Sequence, residues 1–199
     1  MAPLKITIAA IALLSATPAC ADPVAQWRPY IAEASVRFGI SESWIERVMR
    51  AESGGRTSLG GRPITSHAGA MGLMQLMPGT WADLRARLGL GTNPHDPRDN
   101  IIAGTAYLRM MYDRFGYPGM FAAYNAGPGR YAAYLSGRSR LPRETVVYLQ
   151  TVTGGAASPV PARQSGTGKV IASPDNSRER DDQNAPATDP IFFIRRPMP

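Results

Sequence analysis

Glu52 is the residue of this sequence whose position most clearly suggests acid–base chemistry. It continues a helical series of apolar residues, Ile45, Val48 and Met49, so its carboxyl group must face the core or a cleft. It also falls in the last turn of its helix, where the helix dipole disfavours negative charge. Desolvation and the dipole both raise the pKa of a carboxyl group, as a general acid near neutral pH requires. The alternative is a structural ion pair with an arginine such as Arg56.

Helices are the elements that must position this carboxyl group. Apolar periodicity and Gly or Pro boundaries predict helices over residues 24–38, 42–52, 80–88, 97–115, 120–125, 130–135 and 142–152. Residues 53–77 are rich in Gly and Ser and are predicted to be irregular. Strand-type alternation is essentially absent. The fold class is therefore predicted to be mainly α.

Four blocks of sequence carry a more specific signal. They are Glu52-Ser53-Gly54-Gly55, then Gly69-Ala70-Met71-Gly72-Leu73-Met74-Gln75-Leu76-Met77-Pro78-Gly79-Thr80, then Ala122-Ala123-Tyr124-Asn125-Ala126-Gly127-Pro128-Gly129, and finally Glu144-Thr145 with Tyr148. In this order they resemble the soluble lytic transglycosylase family, over about residues 24–152. The resemblance implies a goose-type, lysozyme-like helical domain that cleaves the β-1,4 bond between N-acetylmuramic acid and N-acetylglucosamine in peptidoglycan.

The resemblance implies a catalytic role for one residue and an orienting role for its neighbour. Glu52 matches the family's glutamate, which first acts as acid to the glycosidic oxygen and then as base to the C6 hydroxyl of the sugar. Ser53 follows it as in the family and is expected to orient the carboxylate or the N-acetyl group.

Five further residues match family positions in or beside the substrate cleft. Met74 and Gln75 match residues that contact the saccharide, Tyr124 and Asn125 lie beside the cleavage point, and Tyr148 lies near the catalytic glutamate. Their types suit the task, because sugars need hydrogen bonds at their edges and apolar contact on their faces. For Tyr and Met taken singly, a place in the core is the alternative.

The sequence offers no obvious second carboxylate, although ordinary glycosidases use two. The acids considered for that role are Asp83, Asp96, Asp99, Asp113 and Glu144. Asp96 and Asp99 begin a helix, so capping explains them. A single acid suffices if the substrate's N-acetyl oxygen attacks C1, which ends in a 1,6-anhydro ring. Hydrolysis by a muramidase and a non-catalytic, peptidoglycan-binding assembly factor stay open as alternatives.

Cofactors and nucleic acid are not expected. The histidines His67 and His95 are far apart in sequence, so no metal site is predicted. Residues 22–153 carry 15 arginines and 10 acids, a net charge of +5, which suits an anionic cell-wall polymer. No basic helix stripe with interleaved aromatic residues suggests nucleic-acid binding. We expect a monomer.

The two ends of the chain differ from the middle. Residues 1–21 have the charge, apolar run and small-residue exit of a secretory signal peptide, which predicts export to the periplasm. Cleavage before Cys20, with lipidation, is the less favoured alternative. Residues 154–199 are predicted to be a disordered tail. Residues 191–194 are apolar and are interpreted as a docking peptide for a secretion or conjugation apparatus, a strand that patches the domain, or an unordered end.

Overall fold

A computed structural model describes residues 22–155 of the 199-residue chain. A short 3-10 helix, Ala25–Trp27, precedes six α-helices in these residues. They are α1 (Arg28–Phe38), α2 (Glu42–Glu52), α3 (Pro78–Leu88), α4 (Pro97–Ala126), α5 (Pro128–Leu135) and α6 (Arg143–Thr153). The predicted mainly α fold class is confirmed. The proposed signal peptide lies outside the described residues, as does nearly all of the proposed tail.

Several helices begin or end at residues that commonly cap helices. α1, α3 and α6 each end at a glycine in the left-handed conformation, namely Gly39, Gly89 and Gly154. This conformation costs a glycine little because it has no Cβ atom. Asp96 caps α4, where its carboxylate accepts a hydrogen bond from the Asp99 amide at 2.9 Å.

α4 is the central element, and α1, α3, α5 and α6 all pack against it. Its helical geometry is interrupted at Gly116 (φ 63°, ψ −175°) and Tyr117, so two helical segments meet at a kink. The predicted helix end at Gly116 is therefore confirmed. Ile101, Ile102 and Leu108 of the first segment are fully buried. This arrangement makes α4 the scaffold against which the other helices are placed.

α2 packs mainly against α1 and α6, and its Trp44 ring also contacts the rings of Tyr112, Tyr117 and Phe121 in the long central helix. The predicted apolar face is observed, since Ile45, Val48 and Met49 are fully buried. This burial fixes the rotation of α2 about its axis, and with it the direction of the side chain at its last residue, Glu52.

The segment between α2 and α3 is not wholly irregular. Ser58–Leu59 (β1) and Arg62–Pro63 (β2) form an antiparallel pair in which Ser58 faces Pro63 and Leu59 faces Arg62. Two-residue strands are too short to show an alternating pattern in the sequence, which explains why this hairpin was not predicted. Farther along, Met71 bridges to both Thr65 and Leu76, which closes a compact loop before α3.

No helix in residues 22–155 is long and apolar enough to cross a membrane.

Candidate active site

Glu52 is the last residue of α2, and its side chain is only partly exposed. Burial raises the pKa of Glu52 to about 7. The nearby Tyr148 hydroxyl favours the charged carboxylate and so opposes this rise in pKa, whereas the negative charge of Glu144 adds to it. No salt bridge in residues 22–155 involves Glu52. Arg56, the alternative partner, instead donates from Nε to the Ser53 carbonyl oxygen at 3.2 Å.

Two buried tyrosines lie near this carboxyl group, Tyr124 on α4 and Tyr148 on α6. Burial raises the pKa of both hydroxyl groups well above its usual value, and the charge of Glu52 raises it further. The Tyr124 hydroxyl donates to the Met74 carbonyl oxygen at 2.8 Å. The Tyr148 hydroxyl is buried and has no hydrogen bond of ordinary geometry. It is therefore a donor held close to Glu52 and committed to no other group.

A pocket of about 180 Å³ opens beside this group. Its walls come from the loop before α3, from the start of α3 and from both segments of α4. The residues that line it are Gln75, Leu76, Met77, Thr80, Tyr107, Tyr124, Asn125, Ala126 and Gly127. Glu52 does not line this pocket, but Tyr124 belongs both to the pocket wall and to the surroundings of Glu52. The carboxyl group and the pocket are thus neighbours that share one tyrosine ring.

An aromatic pair forms one wall of the pocket. The rings of Tyr107 and Tyr124 meet edge to face, with centroids 5.1 Å apart and planes at 60°. Tyr107 is half-buried, and burial raises the pKa of its hydroxyl group. Such a wall offers apolar ring surface together with a hydroxyl group, which suits the mixed surface of a pyranose.

Gln75 contributes an amide to the pocket from a strained backbone. Its φ angle is 47°, in the left-handed region that a residue with a side chain rarely adopts. Its Nε2 donates to the Gly72 carbonyl oxygen at 2.8 Å, and its backbone N–H donates to the same oxygen at 3.2 Å. The amide is therefore folded back over its own turn and held at the pocket edge.

Asn100 ties this turn to α4 and is fully buried. Its Oδ1 accepts from the Met74 amide at 2.7 Å, while its Nδ2 donates to the carbonyl oxygens of Met71 at 3.1 Å and Pro94 at 2.8 Å. Gly72 has to be glycine here, because a Cβ atom would lie 2.4 Å from Asn100 Nδ2. The position of Gln75 thus depends on a side chain in another element.

Asn125 lies at the end of α4, where it lines the pocket. Its Oδ1 accepts a hydrogen bond from Thr145 Oγ1 of α6 at 2.8 Å. Gln75, Tyr124 and Asn125 therefore line one pocket, and Tyr148 lies near Glu52.

The expected roles of Met74 and Ser53 need correction. Met74 is fully buried and packs against Gly104, where an added Cβ atom would lie 2.4 Å from Met74 Cβ. It belongs to the core and does not line the cleft. Ser53 is 2% exposed, and its hydroxyl donates to the Met49 carbonyl oxygen at 3.2 Å and accepts from the Gly55 amide at 3.1 Å. It closes the end of α2 rather than orienting the carboxylate or a substrate group.

Four residues with roles in the site were not predicted. They are Tyr107, Asn100, Thr145 and, as a charge near Glu52, Glu144. Asn100 had a usable signal, because a polar residue directly before Ile101-Ile102 in a buried helix needs partners. Thr145 belongs to the Glu144-Thr145 block that carries the family resemblance, but the block assigned it no role. Tyr107 had no such signal, because its role arises only when α4 meets the loop before α3.

Comparison with known proteins gives consistent matches over the described part of the chain. A family model described as a transglycosylase SLT domain matches residues 29–147. The transglycosylase of Enterobacteria phage PRD1 is 40% identical over 91 residues, which are 46% of this chain and 31% of that protein. The soluble lytic murein transglycosylase of Escherichia coli K12 is 35% identical over 120 residues, which are 57% of this chain and 18% of that protein. The chain spans less than a third of the length of either relative.

Solved structures show a similar fold. The 70 kDa soluble lytic transglycosylase from Escherichia coli superposes with a TM-score of 0.55 at 30% identity, over 63% of this chain and 22% of that one. An inactive mutant of the lytic transglycosylase Slt from Pseudomonas aeruginosa gives a TM-score of 0.54 at 28% identity, over 68% and 25%. A further match, with a TM-score of 0.55, is a 70 kDa soluble lytic transglycosylase in complex with bulgecin A.

Proposed function

This chain belongs to the transglycosylase SLT domain family, and from that premise we propose that it is a peptidoglycan lytic transglycosylase with Glu52 as its general acid and base. The bond cleaved is the β-1,4 linkage from N-acetylmuramic acid to N-acetylglucosamine, and the product carries a 1,6-anhydro ring.

One observation carries the proposal: a carboxyl group with a pKa of about 7 lies beside a pocket lined by amide and phenol groups. At that pKa Glu52 is protonated in a large fraction of molecules near neutral pH. It can therefore donate a proton and later accept one without a large penalty for either step. An exposed glutamate would be almost wholly ionised at the same pH and a poor donor.

The reaction takes place in two steps that return Glu52 to its starting state. First, the Glu52 proton moves to the glycosidic oxygen while the bond from C1 to that oxygen breaks. The carbonyl oxygen of the muramic N-acetyl group bonds to C1 and gives an oxazolinium ion. Second, the C6 hydroxyl oxygen attacks C1, the bond to the N-acetyl oxygen breaks, and Glu52 takes the hydroxyl proton.

The pocket residues have binding roles in this scheme. Gln75 and Asn125 offer amides to the sugar edges, and Tyr124 supplies part of the wall of the same pocket. Tyr148 donates toward the Glu52 carboxylate and so stabilises its charge once the proton has left. Met74 and Ser53 take no direct part, because their polar groups are occupied within the fold.

Hydrolysis by a muramidase is the second candidate, and Glu144 is the observation that favours it. Its negative charge raises the pKa of Glu52, so a second acid lies within electrostatic range of the first. In two-carboxylate glycosidases that invert configuration, the second carboxylate activates a water molecule to attack C1. The two reactions leave different chain ends, anhydro for the transglycosylase and reducing for the muramidase.

Mass spectrometry of the muropeptides released from purified sacculi tests the proposal. We expect anhydro ends from the wild type and no release by Glu52→Gln. Glu46→Gln is the matched control, since Glu46 is on the same helix and makes only an exposed ion pair with Arg28. Reducing ends would establish the muramidase. Release by Glu52→Gln equal to that of the wild type would rule out Glu52 as the catalytic acid. No release by a wild type that binds sacculi would leave a binding factor.

The cellular setting is part of the proposal. Residues 1–21 direct export to the periplasm, where peptidoglycan lies, and residues 154–199 attach the enzyme to a secretion or conjugation apparatus. Fractionation of cells that express the wild type and Cys20→Ser tests the first point. We expect both in the soluble periplasmic fraction, whereas wild type in the membrane fraction would establish the lipid anchor. For the second point, we expect a deletion strain to show impaired secretion or conjugation.

A further inference from the structure

Thr145 uses its hydroxyl group differently from the other threonines of α6. Thr151 and Thr153 donate to the carbonyl oxygens four residues earlier, those of Val147 at 3.0 Å and Leu149 at 2.7 Å. This is the usual bond for a threonine within a helix. Thr145, which is 1% exposed, instead donates across the helix interface to Asn125 Oδ1 at 2.8 Å.

This hydrogen bond determines which end of the Asn125 side-chain amide faces the pocket. A carboxamide has an acceptor oxygen and a donor NH₂ group at opposite sides of one plane. Because Thr145 donates to the oxygen, the NH₂ group is the end left for the pocket, and no residue of 22–155 accepts from it. A buried hydroxyl is costly to leave without a partner, so the reversed amide is disfavoured unless Thr145 turns to accept.

We propose that Thr145 is a positioning residue that fixes Asn125 as a hydrogen-bond donor, so that this part of the pocket selects a substrate group with an acceptor oxygen. The chemical class is an N-acetyl sugar, whose amide carbonyl oxygen accepts hydrogen bonds. The inference rests on the proposed function and deepens it by assigning Thr145 and a polarity to the Asn125 subsite.

A double-mutant cycle tests whether Thr145 acts through Asn125. The variants are Thr145→Val, Asn125→Ala and the double variant, assayed for kcat and KM on solubilised glycan strands. Thr145→Val should lower kcat/KM by roughly three- to tenfold, mainly through KM, as expected for one lost hydrogen bond. In the Asn125→Ala background the same change should have no further effect. An equal loss in both backgrounds, or no loss in either, overturns the proposal.

Two further variants separate positioning from simple packing. Thr145→Ser keeps the hydroxyl group and should restore kcat/KM to within about twofold of the wild type. Thr153→Val removes a buried hydroxyl from the same helix, away from Asn125, and should leave kcat/KM unchanged. A Thr145→Ser variant as impaired as Thr145→Val would contradict the proposal, and so would a Thr153→Val variant with the same loss.

A spectroscopic measurement distinguishes failure of this inference from failure of the proposed function. In the full chain labelled with ¹⁵N, the side-chain amide signals of Asn125 report its hydrogen bond without any substrate. They should shift in Thr145→Val and return in Thr145→Ser. Unshifted signals overturn the positioning role even if the enzyme is active. Shifted signals in a protein that releases no muropeptide support the role and count against the proposed function.

Discussion

At the scale of single residues, burial of Glu52 destabilises its charged form and at the same time gives it a pKa that suits acid catalysis. Its helix places it on the side of α2 that is otherwise buried, so its charged form is poorly solvated. The resulting pKa of about 7 suits acid catalysis but means that folding must tolerate an unfavourable charge at higher pH. No arginine relieves this cost in residues 22–155, although that part of the chain holds 15 of them.

Glu52→Gln should therefore stabilise the protein at alkaline pH. The carboxyl group is protonated up to about pH 7 in the folded chain but only up to about pH 4.5 in the unfolded chain. Wild-type stability thus falls as pH rises through this window, by roughly 3 kcal/mol in total. Denaturant unfolding should show Glu52→Gln more stable by about that amount near pH 8 and equal near pH 4. Glu46→Gln should change the free energy of unfolding by less than about 0.5 kcal/mol at either pH.

Tyr148 and Glu144 change the pKa of Glu52 in opposite directions, so substitutions at these two residues should shift the pH–rate profile in opposite directions. The first step needs protonated Glu52, so the alkaline limb of kcat/KM should fall near pH 7. Tyr148→Phe removes a donor that lowers the pKa of Glu52, so the limb should move to higher pH. Glu144→Gln removes a charge that raises this pKa, so the limb should move to lower pH. Limbs that stay fixed, or that move in the same direction, would show that Glu52 is not the titrating acid.

At the scale of elements, the loop that ends at Met77, directly before α3 (the α3 loop), owes its position to two close contacts with α4. One is the Asn100 side chain, and the other is the fit of Met74 against Gly104, which leaves no room for a methyl group. Because Gln75 and Leu76 follow directly and line the pocket, the packing of Met74 sets the geometry of one pocket wall. The apolar contact thus contributes to function without touching a substrate.

Gly104→Ala should destabilise the protein, although Gly→Ala within a helix usually stabilises it by up to about 1 kcal/mol. The new Cβ atom would lie 2.4 Å from Met74 Cβ, so the loop must move. We expect a loss of about 1–3 kcal/mol, as for other overpacked cores, together with a higher KM. Gly129→Ala in α5 has no atom within 4 Å of its new methyl group and should be neutral or stabilising. Thermal unfolding of both variants measures the contrast.

The sequence predicted the positions of the helices more accurately than the directions in which the loop side chains point. Gly39, Gly89 and Gly116 mark helix ends because a left-handed residue is a local property that can be read from one position. The family resemblance implies a cleft position for Met74, and an irregular turn has no periodicity that could indicate instead that this side chain points into the core. The Thr145 contact with Asn125 joins residues 20 apart on two helices, and no local rule encodes it.

At the scale of the whole molecule, the candidate site is assembled from segments that are distant in sequence. α2 supplies Glu52, the α3 loop supplies Gln75, the end of α4 supplies Tyr124 and Asn125, and α6 supplies Tyr148. α6 also contributes Leu149 and Val152 to the core. The last helix is therefore both a structural element and a source of site residues, whereas no described contact of the site involves a residue beyond it.

Two shortened chains test whether α6, and not the residues that follow it, is needed for the fold and the site. A chain that ends after residue 155 keeps every described element, so it should match the full chain in thermal midpoint and in muropeptide release in vitro. A chain that ends after residue 142 lacks α6, and with it Tyr148, Thr145 and two buried core side chains. Loss of two large core side chains costs several kcal/mol, which is comparable to the whole stability of a small domain. We expect this second chain to be unfolded by circular dichroism. If the chain that ends after residue 155 keeps its fold but releases no muropeptides, residues 156–199 would instead have a direct part in catalysis.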